Sequence, residues 1–272
     1  MDRPHHRAPA FAGVVPLLLS LPPVIGHRGA AAYAPENTLT AFRVARSRGC
    51  TWVEFDVRLT ADDALVICHD DRLARTSDGH GVISRMPLDA IRHCDAGGWF
   101  SDKFAGERIP TLEEALGLCR EIGLGANVEI KAEDGRGPAT AGAIAACLDD
   151  LYGRLPPVLI SSFLPDAVAE AAVQAPGIPR GMLWRKIPRG WAAIAGRLGC
   201  ATIHVGQADL TESDVAQVSG AGYPLLAYTV NDPDRARQLF DWGVTSVFSD
   251  TPDIIIAATG CSETGAQRGV RL

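Results

Sequence analysis

Eight short apolar segments recur along this chain, at 24–27, 52–57, 127–131, 158–161, 181–184, 202–205, 225–230 and 246–249, and a stretch of helical character follows each. Short, nearly continuous apolar runs suit strands covered on both faces. Parallel strands need a crossover between them, and a helix supplies it. Eight such units in about 250 residues favour a closed (β/α)8 TIM barrel over an open doubly wound sheet. The chain has 272 residues, enough for one barrel. No Gly-x-Gly-x-x-Gly or Walker A run occurs in it, which removes the usual nucleotide-binding sheets.

The helices are expected at 38–48, from 111 onward, and at 140–152, 165–174, 189–198, 212–221, 233–242 and 254–258. Thr111 and Glu114 have the spacing of a capping box, and Asn231-Asp232-Pro233 opens a helix with an N-cap and a first-turn proline. Gly49, Gly199, Gly222 and Gly243 stand where helices stop. A ninth apolar run, 65–69, follows the turn-like Thr60-Ala61-Asp62-Asp63. A hairpin there brings His69 roughly opposite Asp56, back at the rim that the second strand has just passed. The polar segment 70–110 is too long for an ordinary strand-to-helix loop and reads as a small insertion between this hairpin and the second helix. The expected division is an extension over 1–22, a barrel over 23–260 and a tail over 261–272. Phe11 to Leu21 looks superficially like a signal segment, but Pro16 interrupts it and no small-x-small cleavage site follows.

Composition narrows the function. Acidic residues outnumber basic ones 32 to 26, a net charge of −6, which argues against a nucleic-acid duplex as partner. Aromatic residues make up 6%, too few for a single-strand stacking platform. No apolar run reaches membrane-spanning length, so no stable membrane insertion is expected. Seven cysteines, at 50, 68, 94, 119, 147, 200 and 261, are odd in number and no two are three apart. That disfavours a disulfide framework or a zinc knuckle and fits a cytoplasmic protein.

In a barrel of this kind chemistry gathers at the carboxyl ends of the strands. The first strand ends in His27-Arg28-Gly29, the second carries Glu54 and Asp56, and the third carries Glu129 and Lys131. Side chains alternate along a strand, so Glu54 and Asp56 share one face while Val53, Phe55 and Val57 share the other. The apolar set faces the outer helices, and the carboxylates face the barrel mouth. The same rule turns Glu129 and Lys131 inward. Three converging carboxylates repel unless a cation separates them, and an all-oxygen set suits Mg²⁺ or Ca²⁺. The plainer alternative is a salt-bridge network with Arg28 and Lys131. His27 and His69 flank the acids, and imidazoles there can accept and donate protons near neutral pH. His5, His6, His80, His93 and His204 read as structural or surface residues, His204 alone standing near a strand end. Arg28 and Lys131 beside a metal on an acidic protein imply an anionic small-molecule substrate, and a phosphate diester fits. A Schiff-base lyase using Lys131 and a non-catalytic phosphodiester-binding module are the rivals, with a barrel phospholipase a third possibility that only 11–21 could dock to lipid.

These residues form an ordered set. His27-Arg28-Gly29, Pro35-Glu36-Asn37-Thr38, Glu54-x-Asp56, His69-Asp70, Pro110-Thr111-Leu112-Glu113-Glu114-Ala115 and Glu129-Ile130-Lys131 resemble the glycerophosphodiester phosphodiesterases. Ser161-Ser162-Phe163, Tyr228-Thr229-Val230-Asn231 and Asp250 fit too, so the resemblance runs from about 24 to 255. Asp95-Ala96-Gly97, Gly135-x-Gly137-Pro138 and Pro179-Arg180-Gly181 look most like the bacterial cytoplasmic members that accompany glycerol-3-phosphate uptake. The resemblance implies metal-dependent hydrolysis of glycerophosphodiesters to sn-glycerol 3-phosphate and an alcohol. Residue by residue, it implies Glu54, Asp56 and Glu129 as metal ligands, His27 and His69 as the acid/base pair, and Arg28 and Lys131 at the phosphate. Two departures stand out: the alanine run 30–32 after the first motif, and Tyr228 where the family often has Trp.

Overall fold

A computed structural model describes residues 19–133 and 135–260. Most of the extension expected over 1–22, with His5 and His6, and the tail over 261–272 lie outside the described residues. Among the described residues no helix is long and apolar enough to cross a membrane.

The elements run β1 (Val24–Gly26), α1 (Leu39–Ser47), β2 (Trp52–Leu59), β3 (Leu65–Ile67), α2 (Leu88–Arg92), α3 (Leu112–Glu121), β4 (Gly125–Ile130), α4 (Gly137–Asp150), β5 (Val158–Ser162), α5 (Pro165–Gln174), β6 (Arg180–Trp184), α6 (Trp191–Leu198), β7 (Thr202–Gly206), α7 (Glu212–Gly220), β8 (Leu225–Tyr228), α8 (Pro233–Trp242), β9 (Ser246–Ser249) and α9 (Pro252–Thr259). Eight of the strands pair in parallel, and β1 pairs with both β9 and β2, which closes the ring. The chain is a (β/α)8 TIM barrel.

Alternation along the strands builds two cores. Val53, Phe55, Val57, Val128 and Ile130 face outward and pack under α1, α3 and α4, where the Phe42 and Phe55 rings stack with centroids 5.2 Å apart. Ile25, Trp52, Leu159, Leu226 and Phe248 fill the barrel floor. Gly125 is required there: a Cβ would stand 2.2 Å from the Trp52 ring. The capping box at Thr111 forms with both of its bonds. Helix α4 begins at Gly137, earlier than expected, because Pro138 is accommodated in its first turn. Strand β8 stops at Tyr228, since the Val230 N–H turns aside to the Phe248 carbonyl at 2.8 Å.

The hairpin differs in register from the expectation. Val57 pairs with Ile67, and the Cys68 N–H bonds the Asp56 carbonyl at 2.9 Å, so Cys68, not His69, stands opposite Asp56. The turn spans 60–64, with Asp63 in the left-handed region at φ 61, and the Thr60 N–H closes on the Ala64 carbonyl. His69 lies one residue further on, where the chain leaves the ladder. From there to Pro110 the chain forms three 3₁₀ turns (Leu73–Arg75, Ile83–Arg85, Asp102–Phe104) and α2. These fold over a small core of Val66, Cys68, Leu73, Ile83, Ile91, Cys94, Ala96 and Ile109.

Candidate active site

The charged residues of the strands converge at one end of the barrel. Glu54, Asp56 and Glu129 each bring a carboxylate oxygen to within 4.8 Å of the others, and all three side chains are buried. The β2–β4 register sets Asp56 directly beside Glu129. His27 and Arg28 follow β1, Lys131 follows β4, and His69 follows β3.

The turn after β1 takes its shape from its neighbours. Arg28 sits at φ 50 and Gly29 at φ 87, and a Cβ on Gly29 would meet Ala41 of α1 at 2.7 Å. A non-glycine in the left-handed region is strained, and such strain persists where surrounding contacts hold it. Here the turn aims the Arg28 N–H at Glu54 Oε2, 3.0 Å away. Asn37, at φ 60, clamps Asp56: its Nδ2 donates to Asp56 Oδ2 at 2.9 Å and its Oδ1 accepts from the Asp56 N–H at 3.2 Å.

Lys131 Nζ lies 2.5 Å from Glu129 Oε1 and 3.4 Å from Asp56 Oδ1. Arg28 Nε lies 3.4 Å from Asp56 Oδ2. The salt-bridge network therefore exists, but it is incomplete. No Lys or Arg side chain reaches Glu54 within ion-pair distance among the described residues, and Glu54 Oε1 is buried with no hydrogen-bond partner. With all three carboxylates ionised, the two cations fall one charge short, and a buried unpaired charge is costly. A divalent cation held by Glu54, Asp56 and Glu129 removes that deficit, and an all-carboxylate set matches a hard ion.

The titration behaviour follows the same geometry. Burial raises the Glu54 carboxyl well above the ordinary range, and repulsion from Asp56 and Glu129 adds to it. Burial and Asp56 push Glu129 up to about 7 despite Lys131. Burial acts against ionisation of Asp56 too, but Lys131, Arg28 and His69 outweigh it and hold that carboxyl low. Without metal, the folded protein thus keeps a proton on Glu129 between about pH 4.5 and 7 that the unfolded chain has shed. Stability from this group falls as pH rises across that window. The metal-free Glu129→Gln variant is therefore expected to gain melting temperature relative to wild type, with a gap wider at pH 8 than at pH 5. Scanning calorimetry in EDTA checks this, and a gap independent of pH contradicts it.

Each imidazole at the mouth is backed by a carboxylate. His27 Nδ1 is 2.7 Å from Asp250 Oδ1, and Asn231 holds Asp250 through Nδ2 at 2.7 Å and through Oδ1, which accepts from the Asp250 N–H at 2.8 Å. His69 Nδ1 is 2.6 Å from Asp70 Oδ1. An ionised carboxylate only accepts, so Nδ1 carries the proton in both rings and Nε2 is left to exchange protons. His27 Nε2 faces Glu54 Oε2 at 3.9 Å. Burial lowers the His69 pKa, with Arg28 and Lys131 acting in the same direction against Asp56. His204 belongs elsewhere: it is fully buried in the barrel, its Nε2 is 2.9 Å from Thr202 Oγ1, and burial pushes its pKa down to about 3.

Beyond Lys131 the wall is aromatic. Lys131 Nζ lies 5.3 Å from the Phe163 ring centroid, Phe163 meets Tyr228 edge-on at 5.9 Å, and the Tyr228 hydroxyl donates to the Trp184 carbonyl at 2.9 Å. The hydroxyl that distinguishes Tyr228 from a Trp is thus spent on the backbone. In the metal-free site Lys131 lacks the lowered pKa of an amine nucleophile. Burial disfavours its charge, but Asp56 and Glu129 outweigh burial and raise its pKa. A Schiff-base lysine needs the opposite shift.

Sequence reasoning gives no role to the partners Asp70, Asp250, Glu36 and Asn37. All four lie in the quoted motifs, the one signal that could have pointed to them.

Residues 27–254 match the Glycerophosphoryl diester phosphodiesterase family. A glycerophosphodiester phosphodiesterase from Caldanaerobacter subterraneus is 32% identical over 234 residues, which cover 86% of this chain and 96% of that protein. The structure of a phosphodiesterase from Oleispira antarctica in complex with the product sn-glycerol-3-phosphate is similar at 39% identity and a TM-score of 0.86, over 88% of this chain and 97% of that one. A glycerophosphodiester phosphodiesterase from Agrobacterium tumefaciens is similar at 28% identity and a TM-score of 0.74, over 87% of this chain and all of that one (100%).

Proposed function

The chain belongs to the glycerophosphoryl diester phosphodiesterase family, with glycerophosphodiester phosphodiesterase activity, and from that premise we propose how its residues divide the work. It hydrolyses glycerophosphodiesters to sn-glycerol 3-phosphate and an alcohol. Glu54, Asp56 and Glu129 hold Mg²⁺ or Ca²⁺, Arg28 and Lys131 bind the phosphate, and His27 and His69 move the protons. The carrying observation is the buried carboxylate cluster, one charge short of compensation, with an imidazole on either side. The product bound by the similar Oleispira antarctica protein supports the same product here.

One imidazole Nε2 accepts the proton of the attacking hydroxyl as the new P–O bond forms; that hydroxyl belongs to water, or to the substrate's own glycerol, in which case a cyclic phosphate forms and a water molecule then opens it to glycerol 3-phosphate. The other imidazole donates a proton to the departing alkoxide as the old P–O bond breaks. Asp250 and Asp70 keep each ring in the tautomer that can do this, and each stabilises the imidazolium when it forms. Arg28 and Lys131 supply fixed positive charge where charge gathers on the phosphate oxygens. A divalent ion, when bound, adds Lewis-acid polarisation of the phosphorus centre. The aromatic wall of Phe163 and Tyr228 gives the substrate's carbon skeleton an apolar surface. The free thiols among the described cysteines and the net charge of −6 fit a cytoplasmic setting for this small-molecule chemistry.

Release of glycerol 3-phosphate from glycerophosphocholine tests this reading. The expected outcome is turnover that stops in EDTA and returns with Mg²⁺ or Ca²⁺. Turnover unaffected by chelation contradicts it.

A further inference from the structure

The first turn of the insertion sends one side chain back to the mouth. Arg75 ends the 3₁₀ turn Leu73–Arg75, which is anchored by the fully buried Leu73 and by bonds from Leu73 N–H to the Gly81 carbonyl and from Ile83 N–H to the Asp71 carbonyl. Its guanidinium makes two forks. Nε donates to Asp70 Oδ2 at 2.6 Å and Nη2 to Asp70 Oδ1 at 3.0 Å. Nη1 donates to Glu36 Oε2 and Nη2 to Glu36 Oε1, both at 2.8 Å. Neither carboxylate ends there. Asp70 Oδ1 also receives His69 Nδ1 at 2.6 Å, and Glu36 Oε1 also receives Arg28 Nη1 at 2.7 Å. An unbroken chain of charge-assisted bonds therefore runs His69–Asp70–Arg75–Glu36–Arg28. A second arginine, Arg58, holds the His69 carbonyl through Nε at 3.0 Å and Nη2 at 2.7 Å, so the imidazole is restrained at both its backbone and its Nδ1.

We propose that Arg75 is a positioning residue that locks the imidazole of His69 and the guanidinium of Arg28 into one frame, so that the proton-transfer group and the phosphate-binding group keep a set separation. The proposal rests on the roles given to His69 and Arg28 above. Only a planar fork can do this. An ammonium in the same place offers a point charge and cannot pair two carboxylates bidentately. With Arg75 gone, Asp70 and Glu36 lose their shared countercharge beside a mouth that must admit an anion. Asp70 is then free to turn from His69, and Glu36 is left with Arg28 alone. The insertion thereby contributes to the reaction without touching the reacting atoms.

The test uses the full chain at saturating Mg²⁺ with glycerophosphocholine, comparing Arg75→Met, Arg75→Lys, His69→Asn and the Arg75→Met/His69→Asn double variant. The Arg75 side chain is 44% exposed, so truncation opens no core cavity. Arg75→Met is expected to lower kcat by about 10²-fold through misplacement of His69, and to raise KM through Arg28. Its Mg²⁺ affinity by calorimetry stays within about twofold of wild type, because Arg75 touches none of the three carboxylates. Arg75→Lys recovers only part of the loss. In the His69→Asn background the kcat effect of Arg75→Met shrinks to within about threefold while the KM effect persists, since residues acting as a unit are not additive. Wild-type kcat and KM in Arg75→Met, or a kcat loss that multiplies in full onto His69→Asn, overturns the proposal. Wild-type kcat in His69→Asn alone removes the proton-transfer reading first, and the proposal with it.

Discussion

Glu54→Gln is expected to lower turnover of glycerophosphocholine by at least about 10³-fold, because a divalent ion supplies several kcal/mol of transition-state stabilisation and each 1.4 kcal/mol is tenfold. Among the described residues no lysine or arginine side chain pairs with Glu54: Oε2 accepts the Arg28 N–H, and Oε1 is buried and accepts nothing. Its pKa, raised by burial and by Asp56 and Glu129, shows that the metal-free fold resists this charge. The same change should therefore stabilise the metal-free protein, as a neutral amide replaces a buried carboxyl whose ionisation the fold opposes. Loss of activity with a gain in metal-free melting temperature is the signature of a ligand. Loss of activity with a loss of stability would instead mark Glu54 as a structural residue, and calorimetry in EDTA separates the two.

Substitution of either mouth histidine is the second large effect. His27→Asn and His69→Asn are each expected to cut kcat by about 10²- to 10⁴-fold, the usual worth of a placed proton-transfer group. Both variants should still take up Mg²⁺. His69 makes no bond to the three carboxylates, and His27 stands 3.9 Å from Glu54, beyond hydrogen-bond reach. A non-catalytic phosphodiester-binding protein needs no proton shuttle, so unchanged ligand affinity together with lost turnover distinguishes the enzyme from that rival. Retention of kcat in both variants contradicts the proton-transfer assignment. Asp250→Asn and Asp70→Asn should follow their own histidines with smaller losses, since each acts through the ring it orients.

The barrel was legible because its signal is repeated. Eight buried strands and their helices share one pattern, and an error of a residue or two at any end leaves the count intact. The carboxylates were legible for a different reason. Glu54, Asp56 and Glu129 alternate with the apolar Val53, Phe55, Val57, Val128 and Ile130, and period-two alternation leaves the carboxylates the barrel interior to face. Their actual neighbours were not legible. Asp250 reaches His27 across 223 residues of chain, and no periodicity places two loop residues side by side at that range. Arg28 holds a left-handed backbone conformation that local propensity does not assign to it. The hairpin missed by one residue because its turn is longer than the Asp-Asp pair implies, with Asp63 at φ 61 taking up the extra residue. His204 shows the limit of reading strand ends. It lies on the inward face of β7 and, fully buried, stays below the mouth with Thr202 for a partner.

In the proposed site, oxygen atoms from β2 and β4 enclose one divalent ion beside both imidazoles. Anomalous diffraction from crystals soaked in Mn²⁺ and glycerol 3-phosphate tests it most directly, since Mn²⁺ accepts the same carboxylate ligands as Mg²⁺. The expected result is a single strong peak among Glu54, Asp56 and Glu129, with the phosphate between it, Arg28 and Lys131. A peak elsewhere, or none at the carboxylates with phosphate in place, contradicts this arrangement.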